Sequence, residues 1–432
     1  MESVEAKMSP QVRDERARGR LLASVDGRLL FATRTLRLFA YGFLSVILVL
    51  YLAERGLTET EIGLLLTLSL LGDTAVSVAL TTHADRWGRK RMLALGAVLM
   101  AAAGLVFAST DGFLLLLVAA TLGVISPSGK EVGPFLAIEQ AALAQVVPGV
   151  HRTRIFAWYA LVGSLATATG ALVGGGLSQL LQNRGLPEVQ SYQVILFGYA
   201  ASGVGMALVF TRLSSAIEVS TSDPVKQEGR DAVRSARLGL HRSQGVVLKL
   251  AALFSLDSFA GGFVVQSLLA YWFHLRFGVE PARLGAIFFG ANVLAGFSAL
   301  AAVRVAARIG LVKTMVFTHL PSNVLLLLVP LMPTLELAVL VLLLRFAISQ
   351  MDVPTRQSYV MAVVHPTERS AAAGVTGVAR TTGAALSPLL SAMLLGSAHF
   401  ASVPFFLAGG LKILYDLLLY RSFVGLRTPE EK

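Results

Sequence analysis

No cysteine occurs among the 432 residues. Disulfides, thiolate metal sites and cysteine nucleophiles are therefore excluded. The seven histidines are scattered, without a close-spaced ligand pair such as HExxH, so no metal site is expected. Charge is scarce as well: 15% of residues are charged and 55% are hydrophobic, with a mean hydropathy of +0.68. Soluble proteins carry roughly a quarter charged residues, so a compact soluble enzyme is excluded. No Ser/His/Asp arrangement falls on one membrane face, and no phosphate-cradling glycine loop suggests ATP coupling. The first 30 residues contain Glu2, Glu5, Asp14 and Glu15 and no early apolar core, unlike a cleavable signal peptide.

What is present is a succession of apolar runs, near 35–53, 60–82, 92–110, 113–145, 155–181, 193–211, 246–273, 284–306, 313–332, 335–363, 370–397 and 400–420. Each spanning helix needs about 20 apolar residues, so twelve spans at about 36 residues each with their connections fit the length. The fourth and tenth runs exceed the length needed to cross. The expected fold is an all-α integral membrane protein of twelve transmembrane helices. Expected segments are a basic tail (1–34), a six-helix bundle (35–211), a linker (212–245), a second six-helix bundle (246–420) and a short tail (421–432).

Basic residues collect on the side of the N-terminus: Arg13 to Arg28 in the tail, Arg86 to Arg91 after span two, Arg152 and Arg154 after span four. Lys226 to Arg242 in the linker, Arg304, Arg308 and Lys313 after span eight, and Arg421 and Arg427 continue the pattern. The opposite side has only Arg55, Arg184, Arg276 and Arg283. This bias puts both termini in the cytoplasm, with the cell membrane as the expected location. It accounts for the net charge of +11 without a nucleic-acid partner. Inner-leaflet lipid is the remaining candidate partner of the basic tail.

An offset of 222 residues aligns Ser45 with Ser267, Gly56 with Gly278, Gly63 with Gly285, Arg86 with Arg308 and Gly88 with Gly310. The two bundles therefore read as repeats of one design. The turn after span two, Thr81-Thr82-His83-Ala84-Asp85-Arg86-Trp87-Gly88-Arg89-Lys90-Arg91, resembles the major facilitator signature G-x-x-x-D-R-x-G-R-[KR], with Thr81 in place of the first glycine. In span five, Gly170-Ala171-Leu172-Val173-Gly174-Gly175 resembles the G-P-x-x-G-G segment of drug:proton antiporters, with Ala171 in place of proline. The resemblance implies that Asp85, Arg86, Gly88, Arg89 and Lys90 form a conformational switch, its acid contacting the second half when the cavity opens outward. Gly170, Gly174 and Gly175 would pack helices. It also implies that spans one, four, seven and ten line a central cavity. Topology alone needs the bases of the turn but not Asp85.

Ionisable residues at bilayer depth are costly and usually face a cavity or a partner. Here they are Arg37, Asp73, Lys130, Glu131, Asp257, Arg345, Asp352 and Arg380. Arg37 and Asp73 sit at similar depth on neighbouring spans, placed for a salt bridge that serves either as a clamp or in function. Lys130 and Glu131 lie between Pro127 and Pro134, and Asp352 precedes Pro354, so spans four and ten are expected to be broken. Asp352 and Arg356 form an i, i+4 pair. The expectation is a secondary active transporter of a small organic, anionic or amphipathic solute, monomeric, without a cofactor and driven by a proton gradient. Glu131 or Asp257 would carry the proton, and Lys130 and Arg380 would meet substrate. Export by antiport leads; uptake by symport or facilitated flux, and a non-transporting receptor or scaffold, are the alternatives.

Overall fold

A computed structural model describes residues 25–131, 133–146, 152–218, 240, 243–365 and 368–424. The tail before residue 25, nearly all of the linker and the last residues therefore lie outside the described residues, as do the expected bases Arg13, Lys226 and Arg427. Among the described residues the chain is helical and has no strand. That is the expected response of a backbone that must satisfy its own N–H and C=O groups in lipid.

In the first half, α1 (Val25–Ser45) and α2 (Leu48–Glu54) meet at a 41° bend. They are followed by α3 (Glu59–Trp87), α4 (Arg89–Ser109), α5 (Phe113–Leu122), α6 (Phe135–Val146), α7 (Arg152–Asn183) and α8 (Glu188–Thr211). The second half comprises α9 (Gln244–Gly262), α10 (Gln266–Phe277), α11 (Pro281–Ile309), α12 (Leu311–Leu328), α13 (Leu335–Ser349), α14 (Asp352–Val363), α15 (Arg369–Leu395) and α16 (Val403–Phe423). Ten helical stretches among the described residues are long and apolar enough to cross a membrane, eleven when α1 and α2 count as one span. The expected fourth span is not a continuous helix. Its run is divided into α5 and α6 by non-helical residues at 123–131 and 133–134, where Pro127 and Pro134 withhold N–H donors and Gly129 and Gly133 take φ of 65° and 83°.

Local chemistry sets the helix ends. Thr58 and Glu61 form a reciprocal capping box at the start of α3. Pro281 opens α11, where its missing N–H is no loss. The repeat is visible in the elements: α3 and α11 are each 29 residues long and begin 222 residues apart. Both end at a glycine of positive φ, Gly88 at 98° and Gly310 at 85°. The first, fourth, seventh and tenth spans are all interrupted. Proline explains the fourth and accompanies the tenth, whereas the breaks at 46–47 and 263–265 contain neither proline nor glycine.

The halves approach most closely at the ends of their helices away from the signature turn. A Cβ on Gly63 would lie 2.7 Å from the Leu389 Cα, one on Gly175 would lie 2.1 Å from the Pro281 carbonyl oxygen, and one on Gly285 would lie 2.6 Å from the Ala171 carbonyl oxygen. Gly374 and Gly377, near the opposite end of α15, face open space. Large apolar side chains such as Leu114, Leu208, Phe297 and Val303 remain exposed on the outer surface, as a lipid-facing belt requires. Gly175→Leu is expected to hold the halves apart at this contact and cost about 1–3 kcal/mol by overpacking. A lowered melting temperature of the purified protein, with Gly176→Leu as the uncrowded control, would register it.

Candidate functional site

At the signature turn, Gly88 separates two helices, and the N-terminus of α4 presents free backbone donors. The Glu218 carboxylate fills that end, taking the Arg89 N–H at 2.7 Å and the Lys90 N–H at 3.1 Å. The Arg89 guanidinium donates to the Ile217 carbonyl at 3.0 Å, and Lys90 Nζ donates to the Leu213 carbonyl at 3.0 Å. Asp26 in turn accepts from the Ser214 N–H at 2.8 Å. These contacts of the turn run to the start of the linker, within the first half. The side chain of Asp85 lies outside the described residues, and Arg86 is exposed.

The first buried polar network joins spans one, four and five. Arg37, fully buried, donates two hydrogen bonds of 2.7 Å to Glu139 and one of 2.8 Å to Glu131. Arg34 bridges the other Glu131 oxygen at 2.8 Å and donates to the Tyr159 carbonyl at 2.7 Å. Glu139 also accepts from the Tyr159 and Thr33 hydroxyls. Two guanidiniums thus balance two carboxylates, the condition under which buried charge is tolerable. The expected pairing of Arg37 with Asp73 is not made: the two nearby glutamates outcompete it with bidentate geometry. Asp73 faces Gly133 and Ser77 instead, with one carboxylate oxygen unpartnered.

The second network joins spans seven, nine, ten and twelve. Asp257 accepts from Lys412 Nζ at 2.5 Å and from Arg356 at 3.0 Å. Arg356 also reaches Asp352 at 3.3 Å, the i, i+4 contact expected from spacing. Behind Asp257, His319 Nδ1 lies 2.9 Å from an Asp416 oxygen, and Asn323 donates to the other at 2.9 Å. Sequence reading passed over Arg34, Glu139, Tyr159, His319, Asn323, Lys412 and Asp416. A signal existed for four of them: His319 and Asn323 on span nine, and Lys412 and Asp416 on span twelve, are i, i+4 pairs of polar residues within apolar runs.

A cavity of about 230 Å³ opens against this second network. Five bases (Lys130, Arg345, Arg356, Arg380 and Lys412) and two acids (Asp257 and Asp352) line it, an excess of three positive charges with His319 neutral. Of the eight expected cavity residues, Lys130, Asp257, Arg345, Asp352 and Arg380 are therefore together. Arg37, Glu131 and Asp73 are not on its wall. The eight expected residues carry four charges of each sign; the wall has a basic excess because Asp73 and Glu131 as well as Arg37 lie off it, while Arg356 and Lys412 lie on it. Arg356 and Lys412 are held by carboxylates. Lys130, Arg345 and Arg380 make no ion pair among the described residues, and the Nε of both arginines is buried without a hydrogen-bond partner.

The non-helical segment of span four connects the two networks. Lys130 enters the cavity while its neighbour Glu131 joins the arginine clamp. Ser126 donates to the Lys130 carbonyl at 2.7 Å, and the Ser267 N–H of the second half donates to the Pro127 carbonyl at 3.1 Å. Gln266 reaches across to Ser45 at 2.8 Å. In span five, Gly170 and Gly174 let α7 touch the α1 backbone, where added Cβ atoms would lie 2.0 Å and 2.3 Å from the Phe39 and Phe43 carbonyl oxygens. Gly175 serves the inter-half contact.

Broken helices around an internal charged cavity, in two repeated bundles with an apolar exterior, define a polytopic membrane carrier. Comparison with known proteins gives the family. The Major Facilitator Superfamily profile matches residues 30–388, and the chain belongs to that superfamily. It is thus a non-enzymatic membrane transporter. An uncharacterized membrane protein of Saccharomyces cerevisiae is 33% identical over 95% of this chain and 96% of its own. The quinolone resistance protein NorA of Staphylococcus aureus is 24% identical over 139 residues, 32% of this chain and 34% of that protein. Among solved structures, a bacterial homolog of the human lysosomal transporter Spinster, inward-facing and occupied, superimposes with a TM-score of 0.71 at 14% identity, over 93% of this chain and 98% of that one.

Glu139→Gln removes one charge from the buried clamp and leaves Arg37 with Glu131 alone. A loss of about 3 kcal/mol in stability is expected, the low end for a broken buried pair. Thermal unfolding in detergent would measure it, and Glu131→Gln should behave alike.

Proposed function

We propose that this protein is a secondary active transporter that carries a small organic anion by alternating access, coupled to the proton gradient. The observation that carries this reading is the basic excess of the cavity, with Lys130, Arg345 and Arg380 unpaired. Arg345 is buried, Arg380 half-buried and Lys130 open to the cavity; unpaired cations at bilayer depth are costly, and a bound carboxylate, sulfonate or phosphate group offsets that cost with charge-assisted hydrogen bonds. The cavity volume lies below the about 300 Å³ at which drug-sized sites begin, which favours a compact solute. The positive-inside bias supports cytoplasmic termini and a cell-membrane location. With that orientation the inter-half glycine contacts lie on the outer side, and the cavity is approached from within. A second reading, efflux of an amphipathic compound in exchange for protons, is favoured by the partial likeness to the quinolone resistance protein.

The test is flux into liposomes of the purified protein, with radiolabelled pools of small carboxylates and sulfonates against cationic and neutral solutes of similar size. Anion flux should be selective, and Arg345→Gln or Arg380→Gln should each lower it by about tenfold or more, the effect of losing one hydrogen bond to a charged group. Equal flux of cations, or unchanged anion flux in the double variant, would overturn the anion reading.

A further inference from the structure

His319 is the only histidine on the cavity wall among the described residues, and it sits between two carboxylates. Two groups meet Nδ1, Asp416 at 2.9 Å and Asn323 Nδ2 at 3.2 Å; the amide is already committed to the other Asp416 oxygen at 2.9 Å, so we assign the ring proton to Nδ1, donated to the ionised Asp416, with Nε2 as the open position of the neutral ring. Nε2 lies 3.9 Å from Asp257 Oδ1, the same oxygen that holds Lys412. Within this network Asp257, Asp352 and Asp416 face Arg356 and Lys412. With Lys130, Arg345 and Arg380 across the cavity, five bases stand against these three acids, an excess of two positive charges, so a proton on Nε2 is favoured once an anion has neutralised that excess.

We infer that His319 is the proton-binding residue of this transporter, and that proton and anion are bound together and carried in the same direction. The inference rests on the anion reading above. A proton from cavity water adds to Nε2, while Nδ1–H stays with Asp416. The imidazolium then competes with Lys412 for Asp257, and the lysine is released toward the anion. The other charges around the ring are of both signs, and Lys130 of the span-four segment and Arg380 of α15 belong to them. From α16 these are Lys412 and Asp416, with Tyr415 edge-on at 6.0 Å; from α9, Asp257. Across the cavity stand Arg345 of α13 and Asp352 and Arg356 of α14, while α11 contributes only the neutral Asn292. The bases there are what the incoming anion neutralises, so occupancy by an anion favours the charged ring. By linkage the proton favours the anion by the same factor.

The experiment measures binding of the transported anion to the purified protein in weakly buffered solution, with a pH dye reporting proton uptake. The native protein should take up about one proton per anion near neutral pH, and its affinity should rise about tenfold from pH 8 to pH 6, within the usual range of coupling. His319→Gln should bind weakly at every pH, without proton uptake. Asp416→Asn should flatten the pH profile as well, which separates the role from a fault in ring packing. Proton release by the native protein on anion binding, or an unchanged pH profile in both variants, would overturn the inference while leaving the anion reading in place. Failure of the native protein to bind any anion of the pools would overturn both.

Discussion

Charge at bilayer depth must be paired or hydrated, and the internal order of this transporter follows from how that requirement is met in each half. Around span one the first half meets it by closure: Arg34 and Arg37 are matched by Glu131 and Glu139, with a tyrosine and a threonine taking up remaining lone pairs, while Asp73 and Lys130 stand outside that closure. The second half meets it incompletely. Its acids bind two bases and a histidine, and other cations are left facing a cavity. One half is thus built to hold its shape and the other to respond to what enters.

The segment between α5 and α6 makes these two behaviours mechanically continuous. In this non-helical turn Lys130 faces the cavity while its neighbour Glu131 meets Arg34 and Arg37, so the two address different surroundings within one peptide unit. A pull on the lysine is delivered to the guanidiniums of span one, and through Pro127 to the backbone of span seven. Prolines and glycines are what free this stretch from helical geometry. No side chain on a regular helix could serve both networks so directly.

Much of this was legible in sequence because it depends on local signals. The repeat survives as helix lengths and glycine turns, and Pro127 with Pro134 marked the break in span four. The breaks in spans one and seven left no such mark, since neither contains proline or glycine; they arise where Ser45 and Gln266 meet, a contact between residues 221 apart. Arg34 was read as tail because α1 starts at Val25, in a stretch whose charge masks its helix. Glu139 escaped because nothing around it interrupts the apolar pattern, and its choice of Arg37 over Asp73 is a matter of bidentate geometry that spacing cannot express. The alignment of charges across four helices of the second half is likewise tertiary. Only the i, i+4 contact of Asp352 with Arg356 could be read from one helix.

The glycines that join the halves lie near one end of long helices, which makes each bundle a lever. Contact of α11 with α7 is tightest at Gly285 and looser at Gly296, and from Gly285 to Ile309 the helix runs about 36 Å at the rise of a regular helix. A rocking of about ten degrees at that fulcrum scarcely moves the glycines, yet it displaces the far helix ends by about 6 Å. Small residues at the fulcrum and freedom at the far end let a modest rotation become a gate wide enough for a solute, with the packed interior of each bundle left intact.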